Sequence, residues 1–258
     1  MNERVTTLAD RQVARIGLGT NRLRNTAEHV EFIRCAVDAG VQMIDTAHLY
    51  TKGESEQAIG QALSPVPNDV VIATKGGHFG YGSPGTPEVL HGEIEQSLKS
   101  LRTNRIALYY LHRVDPNVRI EESLGAIRDY VDRGQIEGVG ISEVDIPMIE
   151  RARKVVPIAA VQNHYNLSER KYDDVVDYCE REQITFVPFF PLHGDPSGAL
   201  KEIAKRHRAT TAQVTLAWLL ARSPVMLPIP GTLSLEHLQE NLGAMAIELT
   251  AAEVREIG

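Results

Sequence analysis

The sequence predicts an α/β fold, a single-domain (β/α)8 TIM barrel covering residues 1–258. Three observations predict it. Short apolar runs alternate about eight times with helical stretches, and parallel strands joined by helices are the natural packing of that rhythm. The 258 residues match the roughly 250 that one compact barrel needs. No Pro- or Ser-rich linker and no charge block interrupts the pattern, so one domain is expected. An open doubly wound sheet is the competitor. The count of eight favours closure, and no Gly-x-Gly-x-x-Gly opens a helix after a strand.

The elements follow in order. Residues 13–18 form a first apolar run ending in Gly17-Leu18-Gly19-Thr20. Residues 26–39 have helical periodicity through Val30, Ile33 and Ala36, with Asn25 or Thr26 as cap and Gly40 beyond. Strand 41–45 and helix 55–63 come next. Residues 70–74 are continuously apolar, as a strand buried on both faces should be. A Gly-rich loop, 76–84, leads to helix 87–101. Strand 106–111, helix 120–132, strand 136–141 and helix 145–154 continue the rhythm. Strand 158–161, helix 170–182 and strand 185–188 follow. Helices 199–206 and 212–221 precede an eighth strand, 225–228, and helix 234–243. The last helix, 250–257, opens on Thr250 with Glu253 three residues on, a capping box.

Composition excludes several function classes. Net charge is −7 with no basic cluster, which argues against nucleic acid and against an anionic membrane surface as partner. No apolar run approaches the ~20 residues of a membrane span. The N-terminal stretch is too polar for a signal peptide, so the cytoplasm is the expected compartment. Cys35 and Cys179 fit no metal-knuckle spacing and read as free thiols. No exposed apolar stripe is evident, so a monomer is expected.

Chemistry in a parallel barrel sits just past the carboxyl ends of the strands. Asp45 ends an apolar run there, and Tyr50 follows on a loop. Lys75 and His112 end two later runs. A free phenol, with a pKa near 10, donates a proton poorly at neutral pH. A nearby ammonium lowers that value, and an ammonium in an apolar mouth needs an anion. Lys75 and Asp45 supply the two, while His112 can orient a carbonyl oxygen. Together these four suit carbonyl reduction. Singly each has an ordinary role: Asp45 as a turn cap, Lys75 as a solvated loop residue, Tyr50 as packing, His112 as a structural histidine. His48, His78, His164 and His193 also fall near strand ends, but no acid–His spacing resembles a metal ligand set, so no metal is expected.

With these residues in hand, the chain resembles the aldo-keto reductase family over nearly its whole length. Ile44-Asp45-Thr46-Ala47-His48-Leu49-Tyr50, followed by Gly53-Glu54-Ser55-Glu56, resembles the family's first signature. Ile72-Ala73-Thr74-Lys75, Leu111-His112, Gly138-Val139-Gly140-Ile141-Ser142, Val161-Gln162-Asn163 and Ile229-Pro230-Gly231-Thr232 resemble later ones in the family's order. The resemblance implies a (β/α)8 barrel that reduces a small carbonyl substrate with NADPH, NADH being possible. It implies Asp45, Tyr50, Lys75 and His112 as the catalytic tetrad, with Tyr50 as the acid. Ser142 and Gln162 would hold the nicotinamide carboxamide, Phe189 would stack on its ring, and Gly19 and Thr20 would lie near the ribose. Leu192 and the residues after it would cover the pyrophosphate. Pro230, Gly231, Thr232, His237, Glu240 and Asn241 would hold the adenosine end.

Three departures from the family pattern carry expectations. Glu143 replaces an asparagine that usually follows the serine, which should alter the carboxamide contacts. His237 replaces an arginine that reads the 2′-phosphate in many members, which weakens the preference for NADPH. The family's long C-terminal loop is missing, which implies an open pocket and a broad or small-aldehyde preference. Residues 213–220 and 229–232 are similar to a bacterial branch that reduces pyridoxal, making pyridoxal a candidate substrate. Two other readings compete. One is a barrel aldolase or lyase with Lys75 as Schiff-base amine. The other is a weakly catalytic NADPH-binding regulatory protein.

Overall fold

The computed structural model describes residues 5–194 and 197–258. Seven parallel strands form one curled sheet in sequence order: β3 (Leu18–Gly19), β4 (Met43–Asp45), β5 (Val71–Gly76), β6 (Ile106–Leu111), β7 (Ile136–Ser142), β8 (Ile158–Gln162) and β9 (Thr185–Phe186). The expected eighth strand is not a regular one. Residues 225–231 carry Pro228 and Pro230, which have no N–H to give a ladder. Their carbonyls accept instead, from Gly17 N–H at 3.0 Å and Gly19 N–H at 3.2 Å. On the other side Phe186 N–H donates to Val225 O, and Leu227 N–H to Phe186 O. The irregular segment thereby bridges β9 to β3 and closes the ring.

Helices pack outside the sheet: α1 (Ala27–Asp38), α2 (Glu54–Leu63), α3 (Pro87–Ser100), α4 (Ile120–Asp132), α5 (Ile146–Arg153), α6 (Asp173–Arg181), α7 (Gly198–His207), α8 (Thr211–Arg222), α9 (Leu235–Gly243) and α10 (Ala251–Ile257). Thr26, Asp145 and Ser234 each cap a helix through the side chain, and Thr250–Glu253 forms the expected box.

The N-terminal residues differ from expectation. They fold into a hairpin, β1 (Val5–Leu8) and β2 (Arg11–Ala14), rather than leading straight into the barrel. Leu8 and Val13 join the cluster that fills the barrel, with Met43, Val71, Leu108, Tyr110, Ala160 and Leu227. Thr185 Oγ1 donates to Thr7 O at 2.6 Å and seats the hairpin. The barrel floor is thus filled by packed side chains, and the open end lies at the strands' carboxyl ends.

Strand periodicity of two sets which side chains reach that open end. Met43 and Asp45 share a face, as do Val71, Ala73 and Lys75. Leu108, Tyr110 and then His112 do the same, and so do Ala160 and Gln162. Gly140 lies opposite Tyr110, where a Cβ would come within 2.3 Å of the ring; the glycine makes room for the phenol under the site.

Candidate active site

At the open end lies a cavity of about 640 Å³, within the range of small-ligand and cofactor sites. Asp45, Tyr50, His112, Gln162 and Phe189 all line it. Lys75 lies beneath, fully buried, and uses its three donors on three acceptors. It reaches Asp45 Oδ1 at 2.5 Å, Thr46 O at 2.7 Å and the Tyr50 hydroxyl at 3.4 Å. Gln162 Nε2 donates to the other Asp45 oxygen at 2.8 Å. A hydroxyl chain of Thr20, Ser55 and Thr46 ties the ends of β3 and β4 to the start of α2. Tyr50 opens a tight turn in which Thr51, Lys52 and Gly53 all have positive φ, and Thr51 Oγ1 anchors it on Leu23 O at 2.6 Å.

The electrostatics follow from these contacts. Burial pushes the Lys75 pKa down, but the Asp45 charge and the Tyr50 oxygen outweigh it, so the net direction is up and the amine stays an ammonium. Burial pushes the Tyr50 phenol up, and Lys75 pulls against it without prevailing. The expected net lowering of the Tyr50 pKa is therefore corrected. The 3.4 Å separation is long, and Asp45 neutralises much of the ammonium's field before it reaches the phenol. His112 is held well below its ordinary value by burial first, then by the charges of Lys75 and Arg113. It is neutral at physiological pH. Its Nδ1 is buried without a partner among the described residues.

The other sequence candidates divide into two groups. Gly19, Thr20, Leu192, Pro230 and Gly231 line the cavity with Gln162 and Phe189. His164 stacks on Phe189 with centroids 5.2 Å apart and backs that ring. Thr232, His237, Glu240 and Asn241 stand outside the cavity wall, Thr232 just before α9, His237 in its first turn and Glu240 and Asn241 in its second half. His237 is exposed in its first turn, and its N–H is capped by Ser234 Oγ at 3.3 Å. Of the residues after Leu192, 195 and 196 lie outside the described residues. Glu143 turns its carboxylate to the His164 N–H at 2.6 Å, and so holds the loop after β8.

Sequence reasoning missed Arg113. Its Nη1 donates to His112 O at 2.6 Å and to Ser142 Oγ at 2.8 Å, and its guanidinium carbon stands 5.5 Å from the Phe189 ring centre. Ser142, fully buried, thus has Arg113 on its hydroxyl rather than a wall position in the cavity. The sequence offers one ambiguous signal, a basic residue directly after His112 at a strand end. Also missed was Glu56, fully buried, whose Oε1 accepts from Thr74 Oγ1 at 2.6 Å behind the lysine strand. His48 lies between Glu56 and Glu93 at 4.0 Å from each and is not a cavity residue. At the opposite face a smaller cavity of about 260 Å³ is rimmed by Arg11, Arg105 and Glu137, and both arginines pair with Glu137. No helix is long and apolar enough to cross a membrane among the described residues.

Sequence and fold comparisons place the chain among known proteins. The model of the aldo/keto reductase family matches residues 15–196 and 195–258. Pyridoxine 4-dehydrogenase of Escherichia coli is 33% identical over 97% of this chain and 96% of its own. A probable aldo-keto reductase of Glycine max is 31% identical over 95% of this chain and 85% of its own. Among solved structures, a thermostable aldo-keto reductase in complex with the inhibitor epalrestat superposes with a TM-score of 0.91 at 31% identity, covering 98% of each chain. An aldo/keto reductase of Klebsiella pneumoniae in complex with NADP and acetate has a TM-score of 0.86 at 26% identity, covering 98% of this chain and 94% of that one. The closed ring, the buried lysine pair and these matches have one reading: this chain belongs to the aldo/keto reductase family, whose solved relatives are (β/α)8 barrels.

Proposed function

We propose that this protein reduces an aldehyde or ketone to the alcohol with NADPH, Tyr50 giving the proton. The observation that carries the reading is the unbroken contact Asp45–Lys75–Tyr50 at the cavity floor, beside a neutral His112. Bound NADPH would supply a hydride to the carbonyl carbon. The residues present suit that group. Gly19 passes so close to the Ile229–Gly231 backbone that a Cβ would meet Ile229 O at 2.7 Å, leaving this wall as bare main chain. Phe189 offers a ring face. Ser142 is buried off the cavity wall with Arg113 on its hydroxyl, so Arg113 stands between it and a carboxamide. Gln162 donates to Asp45, so its Oε1 is free for a carboxamide N–H.

The chain's own groups then do the rest. Neutral His112 donates an N–H to the substrate oxygen and fixes where it lies. Tyr50, protonated at neutral pH as any phenol is, delivers its hydrogen to that oxygen, the bonded Lys75 ammonium favouring its release against the upward push of burial. Lys75, held charged by Asp45, stabilises the phenolate left behind. The same charge opposes the Schiff-base reading, which needs a neutral amine. The two free cysteines suit a cytoplasmic protein.

The test is a fluorescence titration with NADPH and separately with NADH, followed by NADPH oxidation over a panel of carbonyls. Pyridoxal belongs in that panel, since the Escherichia coli relative is a pyridoxine 4-dehydrogenase. NADPH binding and turnover of at least one aldehyde are expected. Binding of neither dinucleotide would refute the proposal.

A further inference from the structure

We infer that Arg113 is a substrate-reading residue and that the preferred carbonyl substrate carries a carboxylate. The inference rests on the reduction proposed above and names its substrate class. A guanidinium has five N–H donors. Two hydrogen bonds, to His112 O and Ser142 Oγ, both come from Nη1. The three donors on Nε and Nη2 have no hydrogen-bond partner among the described residues. No salt bridge joins Arg113 to a carboxylate among those residues either. Glu143 is the acid whose charge it feels most, and that carboxylate is already committed to the His164 N–H, with Lys171 at 3.8 Å.

The cavity therefore holds Arg113 as an uncompensated, half-buried cation, besides the exposed Arg22 on its lining. Its one lining acid is Asp45, which Lys75 neutralises. This charge stands out in a chain whose net charge is −7. The cofactor's phosphates do not account for it, because Arg113 sits at the reacting end. It adjoins His112, its guanidinium carbon lies over the Phe189 ring, 5.5 Å from the ring centre, and its charge is felt by Tyr50 and Tyr81. A half-buried guanidinium with free donors in a planar fork is suited to a carboxylate and poorly served by a neutral group. Held through Nη1 alone, it can turn its remaining edge to a substrate whose carbonyl lies between Tyr50 and His112.

The three isomers of carboxybenzaldehyde and their methyl esters test this. The wild type should favour at least one acid over its own ester by about 10- to 100-fold in kcat/KM, carried mainly by KM. Arg113→Met should erase that preference, bringing each acid to the level of its own ester whatever change the two share, and Arg113→Lys should restore part of it. Turnover is not the only readout. With NADP+ added, benzoate should bind the wild type more tightly than benzamide, and Arg113→Met should remove the difference. If no carbonyl is reduced yet benzoate binds through Arg113, the reductase reading fails and the carboxylate site stands. If every acid and its ester react alike, or Arg113→Met weakens NADPH binding and slows acids and esters equally, Arg113 serves the cofactor and the inference is overturned.

Discussion

Replacing Asp45 with asparagine isolates the charge that tunes the site. The amide keeps the shape and can still accept from Gln162 Nε2, but it removes the anion from Lys75. At 2.5 Å and an effective dielectric of about 20, two unit charges attract by about 7 kcal/mol. Removing one partner of a buried pair costs about 3–5 kcal/mol after relaxation. Burial, already the largest influence on Lys75, then prevails and drives its pKa down, so the amine sheds its proton. Release of that proton caps the stability loss near the lower end, about 3 kcal/mol, or about 6–12 °C in Tm for a chain of this size. The functional loss is larger. Without a cation beside it the phenolate is unsupported, and proton donation falls by about 10²–10⁴. Single-turnover decay of NADPH absorbance with saturating aldehyde reads the rate, and calorimetry reads the Tm. A variant that melts like wild type and reduces within a few-fold of its rate would refute the reasoning.

Other outcomes follow from the same geometry. Reduction uses Tyr50 protonated and His112 neutral, and burial shifts the two pKa values apart, so kcat should be flat from about pH 6.5 to about pH 10; a fall on acidification through about pH 7 would contradict the direction for His112, and a fall on alkalinisation through about pH 7 that for Tyr50. His112 binds fewer protons folded than unfolded, so stability should decline as pH drops below about 6.5, and denaturant titrations at several pH values would measure it. Gly19→Ala places a Cβ 2.7 Å from the Ile229 carbonyl, a backbone atom that cannot swing aside; a loss of about 1–3 kcal/mol by denaturant unfolding is expected, with weaker NADPH binding. His237→Arg puts a permanent cation in the exposed first turn of α9 and should shift dinucleotide selectivity toward NADPH by about 10-fold, read from paired titrations.

Much of this was legible in the sequence because caps and periodicity are local. Thr26, Asp145 and the Thr250–Glu253 box mark helix starts with side chains that satisfy free N–H groups, and the fold follows them. Period-two placement brought Asp45, Lys75, His112 and Gln162 to one mouth, as their positions at strand ends imply. The hairpin was not legible. Its Ala9-Asp10 turn has positive φ at both residues, a conformation usually signalled by Asn-Gly, so the turn carried no mark. The eighth strand misled for the opposite reason, since residues 225–228 are apolar but Pro228, with Pro230 just beyond, bars a regular ladder. The direction of the Tyr50 shift depends on a 3.4 Å contact and on how deeply the hydroxyl lies, neither of which spacing reveals. Arg113 was hidden because a basic residue after a strand usually faces solvent, and only the fold folds this one back onto Ser142.

Tyr50→Phe is the most direct test of the proton-donor claim. The hydroxyl accepts one long bond from Lys75, so its loss should leave folding and NADPH affinity nearly unchanged. Single-turnover reduction should fall by about 10²–10⁴. A variant that binds NADPH normally and keeps most of its reduction rate would contradict Tyr50 as the acid and, with it, the account of what the buried Asp45–Lys75 pair is for.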